Sequence, residues 1–177
     1  DGPQPEGIDL NHARAVLLDG FYPDLAFAAA RTAAQNKIPL VLDCGTWRVA
    51  FVDVLPVGSV AIVSSQFELP GPPAASSEDI AVSLVREFGL RFAAVTRGGD
   101  SIVWATNTES GELGVPEVDA IDTLGAGDVL HGAYMHYAFT EGLDDLEALE
   151  LAASVASRSC EYFGTRAGVV AWVAEQT

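Results

Sequence analysis

Apolar residues in this chain fall in short runs separated by alanine-rich or amphipathic stretches. Val16, Leu17 and Leu18 form an apolar run with Ala15 that ends at Asp19-Gly20, which reads as a buried strand. Asp24 to Asn36 is alanine-rich with helical spacing and has Pro23 at its start, a favoured first helical position. Ile38 to Leu42 is a second buried strand, ending at Asp43, and Trp47 to Leu55 predicts a short helix. Val60 to Val63 is a third strand, followed by Ser64-Ser65. The run Leu69-Pro70-Gly71-Pro72-Pro73 breaks regular structure and predicts a surface loop. Ser77 opens a helix to about Phe88, with Glu78 and Asp79 suiting the positive end of its dipole and Gly89 closing it. Phe92 to Val95 is a fourth strand, leading into Thr96-Arg97-Gly98-Gly99.

Beyond these, Ser101 to Ala105 and Leu113 to Val118 predict a hairpin around a polar turn at Asn107 to Gly111. Two further helices follow, near Val129 to Glu141 and Asp145 to Phe163. Short apolar strands alternating with helices predict an α/β fold with a mostly parallel sheet covered on both faces. In such sheets ligands gather beyond the carboxyl ends of the strands. Asp43, Ser65, Glu68, Thr96 and Gly98 all follow predicted strand ends, so they are expected on one edge, together with the helix start at Gly127.

Length and charge narrow the picture. At 177 residues the chain is one domain or part of a larger one, and 49% hydrophobic residues are enough for a sizeable core. The net charge of −16, with Lys37 the one lysine, argues against nucleic acid or an anionic membrane as partner. No apolar run is long enough to cross a bilayer. Cys44 and Cys160 lack Cys-x-x-Cys spacing and read as buried free thiols of a cytoplasmic protein. Residues 1–13 form a polar lead-in.

The most specific feature is Asp122-Thr123-Leu124-Gly125-Ala126-Gly127-Asp128, between an extended stretch and the helix beginning near Val129. Small residues let the backbone approach a ligand closely. The N–H groups of Gly125, Ala126, Gly127 and Asp128 are expected to stand free at a helix N-terminus, which attracts phosphate. Asp128 beside them is suited to take a proton from an attacking hydroxyl. The alternative is a glycine-rich turn in which Asp128 only caps the helix.

Asp-Thr-x-Gly-Ala-Gly-Asp resembles the C-terminal signature of the ribokinase-like (PfkB) carbohydrate kinases. The resemblance implies a three-layer α/β/α fold and transfer of the γ-phosphoryl of ATP, with Mg²⁺, to a sugar hydroxyl. It makes Asp128 the base and Gly125, Ala126 and Gly127 an anion hole. Asp122 and Thr123 match positions that in several relatives help form a monovalent-cation (K⁺) site; a local turn bond is the equal alternative. Thr96-Arg97-Gly98 is similar to the family's nucleotide loop. Ser65-Gln66-Phe67-Glu68 is similar to its Asn-x-x-Glu motif, which implies Glu68 on the Mg²⁺ side and Ser65 where Asn is commoner.

Asp43 and Arg48 match an Asp…Arg stretch of sugar-kinase relatives; Arg48 would face a phosphate or bridge to Asp43. Ser154, Ser157 and Gly164 fall where family members flank the adenine, in a loop around Phe163-Gly164-Thr165-Arg166. Asp19 to Pro23, Asp43 to Arg48 and Phe163 to Arg166 look closest to the ketohexokinase and fructokinase-like branch. His131 and His136 read as satisfied, partly buried histidines rather than metal ligands.

The resemblance covers only the family's C-terminal portion, without the first βαβ portion or the small β-sheet lid. It implies one C-terminal kinase portion over 1–177, truncated on the N-terminal side, with a nucleotide site but little activity alone. A second copy or a complementing chain would then cover the open sheet edge. The rival readings are a non-catalytic nucleotide-binding or regulatory protein on the same scaffold, and an unrelated α/β domain with a glycine-rich cap.

Overall fold

A computed structural model describes residues 8–71, 73–74 and 76–175. The polar lead-in expected over 1–13 lies partly outside the described residues, and so does Pro72 of the proline loop. The chain divides into two compact units.

The first unit, up to Arg97 plus Ile102–Glu112, is built on a sheet. Its strands are β1 (Val16–Leu18), β2 (Leu40–Cys44), β3 (Val60–Ser64), β4 (Phe92–Thr96), β5 (Ile102–Thr106) and β6 (Ser110–Leu113), in the spatial order β1-β2-β3-β4-β5-β6. β1 to β4 are parallel, and β5 runs antiparallel to β4. The helices are α1 (Pro23–Gln35), α2 (Phe51–Val54), which tightens into a 3₁₀ turn at Leu55–Val57, and α3 (Ser77–Phe88).

Successive parallel strands laid down in one direction with right-handed crossovers put their helices on one face. The main hydrophobic cluster shows that face. Leu40, Leu42 and Cys44 on β2, Ala61 and Val63 on β3, and Ala93 and Val95 on β4 pack with Ala26 and Ala30 of α1, Phe51 of α2, and Ile80 and Leu84 of α3. The alternate residues Val41, Ile62 and Ala94 are fully buried as well. Burial on both faces explains why these strands are uninterrupted apolar runs rather than alternating ones.

α3 follows its sequence signals closely. Ser76 caps it by accepting the Asp79 N–H at 3.1 Å, and Gly89 ends it in the left-handed region at φ 73°. Two elements differ from expectation. β2 runs to Cys44, so Asp43 lies inside the strand rather than after it. The partner of β5 is Ser110–Leu113, not Leu113–Val118. Thr106 Oγ1 accepts the N–H groups of Thr108 and Glu109, which closes the turn early. Gly111 then lies against the Trp104 indole, where a Cβ would come within 3.0 Å. β6 is an edge strand with Ser110 and Glu112 exposed, and its polarity disguised it as a loop.

The second unit, Gly98–Ser101 with the chain from Leu113 onward, is helical. α4 (Ala126–His136) continues into a π-helical turn at Tyr137–Glu141, which Gly142 ends at φ 78°. α5 (Asp145–Cys160) is capped by Asp144, whose Oδ1 accepts the Glu147 N–H at 2.9 Å. Buried Tyr134 ties α4 to α5 by donating its hydroxyl to Asp145 at 2.6 Å. α6 (Thr165–Glu175) was not anticipated, since the last expected helix ended near Phe163. A glycine inside a helix costs about 1 kcal/mol relative to alanine, which weakens the helical signal there. Packing explains Gly168: a Cβ on it would collide with the Ser159 backbone of α5.

Gly168→Ala is therefore expected to force α5 and α6 apart and to destabilise the second unit by about 1–3 kcal/mol. Urea unfolding followed by circular dichroism measures the loss; an unchanged midpoint would show that the two helices can separate freely.

Candidate functional site

The signature turn belongs to the second unit, and its shape depends on Asp122. The backbone N–H groups of Ile121 and Asp122 donate to the Cys160 carbonyl at the end of α5, at 2.7 and 3.1 Å. The Asp122 carboxylate then accepts the Leu124 N–H on one oxygen and the Gly164 N–H on the other, each at 3.0 Å. One side chain thus joins the loop before α4 to the loop before α6, across 42 residues of sequence. The bonds from Leu124, chiefly, and from Gly164 hold its carboxyl below the usual aspartate range. This is the turn-forming alternative for Asp122. Among the described residues no group of three or more His, Cys, Asp or Glu side chains could hold a metal ion.

Two glycines have separate reasons. Gly125 caps α4 in the left-handed region at φ 77°, and a Cβ on it would strike the Thr165 side chain. Gly127 is the opposite case: it is exposed, and nothing lies within 4 Å of where its Cβ would be. Among the described residues no packing explains that glycine.

The sequence predicted four free N–H groups here, and the structure corrects the count. The Ala126 N–H turns back to the Thr123 carbonyl at 3.2 Å, and the Val129 N–H closes on Gly125 O at 3.0 Å. The N–H groups of Gly125, Gly127 and Asp128 make no hydrogen bond among the described residues. Gly127 and Asp128 are exposed at the positive end of α4. The Asp128 carboxylate is exposed beside them. Asp128 and Gly125 border a cavity of about 330 Å³ whose other wall is α6, with Thr165, Arg166 and Val170. That size is at the lower end for small-molecule sites.

Asp122, Gly125 and Gly164 are thus brought together. Ser154 donates its hydroxyl to Glu150 O at 3.1 Å within its own helix, and Ser157 is buried in α5. Thr123 is exposed, with its carbonyl taken by Ala126. Gly98 is exposed at φ 68°.

Within the first unit, Ser64 pairs in register with Thr96 at the carboxyl edge of the sheet. The Ser65 N–H donates to Thr96 O at 2.9 Å, and the Thr96 hydroxyl donates to Val63 O at 3.3 Å. Ser64, which the sequence did not single out, links two loops: its hydroxyl donates to Gly45 O at 2.6 Å and accepts the Gln66 N–H at 3.1 Å. The adjacency of Ser64 to Ser65 was its only sequence signal. Glu68 is exposed in the loop that follows. The Arg48 guanidinium covers the Phe21 ring, 3.5 Å from its centroid. Arg97 pairs with Glu112 at 3.3 Å. Cys44 is buried and free, and burial pushes its thiol pKa well above the usual value, with Asp43 adding to the shift.

Residues 7–172 match the profile of the pfkB family of carbohydrate kinases. The chain is similar to an ATP-dependent ribose-1-phosphate kinase of Halopiger xanaduensis, 31% identical over 173 residues and 94% of this chain. It is also similar to the fructosamine kinase FrlD of Bacillus subtilis, 32% identical over 77 residues and 44% of this chain. The chain spans 56% and 27% of the lengths of these two relatives. Two solved structures share the fold. An E. coli protein assigned as a ribokinase II, in complex with ATP and Mg²⁺, matches with a TM-score of 0.79 at 19% identity, over 94% of this chain and 60% of that one. An Arabidopsis thaliana ribokinase complexed with ribose and ATP matches with a TM-score of 0.73 at 23% identity, over 88% and 52%.

Because the Asp122 pKa is lowered on folding, its clasp contributes above the unfolded carboxyl's pKa and is lost as pH falls through the folded one. Amide exchange, corrected for intrinsic rates, is expected to show Leu124 and Gly164 losing protection over that acid range. In Asp122→Ala both amides should exchange fast at every pH. Retained protection in the variant would show that the two loops are held by other contacts.

Proposed function

The chain belongs to the pfkB family of carbohydrate kinases, and on that premise we propose that it carries the nucleotide-binding and proton-accepting part of an ATP-dependent kinase acting on a sugar hydroxyl. The observation that carries this reading is Gly127. A glycine in the first turn of a helix, exposed and with open space where a side chain would be, leaves room for a ligand beside N–H groups that have no partner among the described residues. Phosphoryl transfer is mainly positioning and electrostatics, and fixed backbone donors at a helix start suit the charge on the transferred group. A protein with one lysine and a charge of −16 has few cationic side chains for a polyphosphate, so backbone donors and a metal ion must do more of this work.

In this reading Asp128 takes the proton from the attacking hydroxyl, which makes the oxygen a better nucleophile as it approaches the γ-phosphorus. The N–H groups of Gly127 and Asp128 bind the phosphoryl oxygens. Thr96, Ser65 and Gly98 serve the nucleotide. Glu68 is a hard, exposed oxygen donor of the kind that holds Mg²⁺ through water, and the metal would neutralise phosphate charge. The acceptors of the relatives, ribose-1-phosphate and a fructosamine, make a sugar or sugar phosphate the first acceptors to try.

A non-catalytic nucleotide-binding role is the second reading, supported by the chain's 56% span of the Halopiger relative. An exposed carboxylate beside the cradle counts against it, because a binder of anions has no use for one.

Calorimetry with Mg·ATP on the wild type, Gly127→Val and Asp128→Asn tests the proposal, with folding of each checked by circular dichroism. Micromolar-range binding is expected for the wild type. Gly127→Val should weaken it at least about tenfold, equivalent to ~1.4 kcal/mol, because its side chain fills the space over the donors. Asp128→Asn should bind as well as or better than wild type, since it removes a negative charge near the phosphates. Unchanged binding in Gly127→Val would overturn the assignment of the cradle. Transfer of labelled phosphate to a sugar, abolished in Asp128→Asn, would separate the kinase from the binder.

A further inference from the structure

His131 lies one turn beyond the cradle on α4 and is 6% exposed. Its Nδ1 is 2.8 Å from the carbonyl oxygen of Gly127. A carbonyl only accepts, so Nδ1 must carry the proton. A carbonyl has two lone pairs, so this bond can add to one from the helix ladder. Burying an imidazole costs more than burying an apolar side chain of the same size, and the bond to Gly127 offsets that cost at Nδ1.

The oxygen that His131 holds belongs to the peptide unit whose nitrogen is that of Asp128. The two ends of a peptide are conjugated. A donor on the oxygen draws electron density toward it and leaves the N–H more positive, as in any hydrogen-bonded chain of amides. That N–H, like those of Gly125 and Gly127, has no partner among the described residues. We infer that His131 is a positioning residue of the cradle: its ring N–H fixes and polarises the Gly127–Asp128 peptide, and the Asp128 N–H binds a phosphate oxygen more tightly as a result. This rests on the reading of the α4 start as a phosphate cradle. The buried ring touches no phosphate itself. It acts through the backbone, which is why the sequence alone showed only a satisfied histidine.

Two variants, compared with the wild type in one NMR and binding experiment, test it. His131→Phe keeps a ring but removes the donor, and His131→Asn places an N–H near the position of Nδ1. In His131→Phe the Asp128 amide nitrogen should shift upfield and Mg·ATP affinity should fall about two- to fivefold, the size expected of a cooperative contribution to a charged hydrogen bond. His131→Asn should restore most of both. An Asp128 shift and an affinity unchanged in His131→Phe would overturn the proposal. So would equal loss in both variants, which would mark the ring as packing only. Long-range nitrogen spectra of the wild type give a check that needs no variant: Nδ1 must be the protonated nitrogen, and an unprotonated Nδ1 refutes the proposal. If the wild type binds no Mg·ATP, the phosphate reading falls. The Asp128 shift in the two variants then still decides whether the peptide is polarised.

Discussion

Three backbone N–H groups at the start of α4, those of Gly125, Gly127 and Asp128, have no partner among the described residues, and the bonds of the second unit shape the turn that carries them. A free donor at a helix end is ordinary; fixing its direction is not. Here the turn is shaped by a left-handed Gly125, where a Cβ would strike the Thr165 side chain, and by the Asp122 carboxylate, which ties the turn to Gly164. The Ala126 N–H is drawn back to Thr123, which closes the preceding turn. The Asp122–Gly164 bond reaches across 42 residues of sequence, and α5 steadies the same turn by delivering the Cys160 carbonyl to Ile121 and Asp122.

The charge balance gives this arrangement its significance. A strongly acidic protein repels a nucleotide at long range, and screening by salt only moderates that. In the proposed reading, attraction would come at short range from dipoles, a bound metal and the few arginines rather than from lysines. A helix start supplies roughly half a positive charge without any basic side chain. Arg166 on the far wall of the cavity is the one cation among the residues that line it. An Asp128 next to the donors would be a poor choice for binding alone, and a sensible one if a hydroxyl has to lose its proton there.

How much was legible in the sequence depended on how local the cause was. The buried parallel strands were visible because burial on both faces leaves continuous apolar runs, as at Leu40–Leu42 and Val60–Val63. The boundaries of α3 were visible because Ser77, Glu78 and Asp79 at its start and Gly89 at its end each act within one turn, although the capping role of Ser76 was not read. The signature was readable for the same reason. By contrast, β6 hides in polar residues because an edge strand with one wet face needs few apolar ones. α6 was missed because the reason for Gly168 lies in α5. The Asp122–Gly164 bond joins loops far apart in sequence, and only the fold shows that Ala126 is a used donor rather than a free one. Ser154 and Ser157, chosen from a small-residue pattern, sit in α5 for packing and helix bonding as much as for any ligand.

The central claim is that the α4 start binds phosphate through its backbone. A crystal structure of the chain with Mg²⁺ and a non-hydrolysable ATP analogue tests it most directly. The account predicts a terminal phosphate oxygen within hydrogen-bond distance of the Gly127 and Asp128 nitrogens, with the Asp128 carboxylate on the side open to an acceptor. A nucleotide bound elsewhere, with those two nitrogens facing only water, would contradict it.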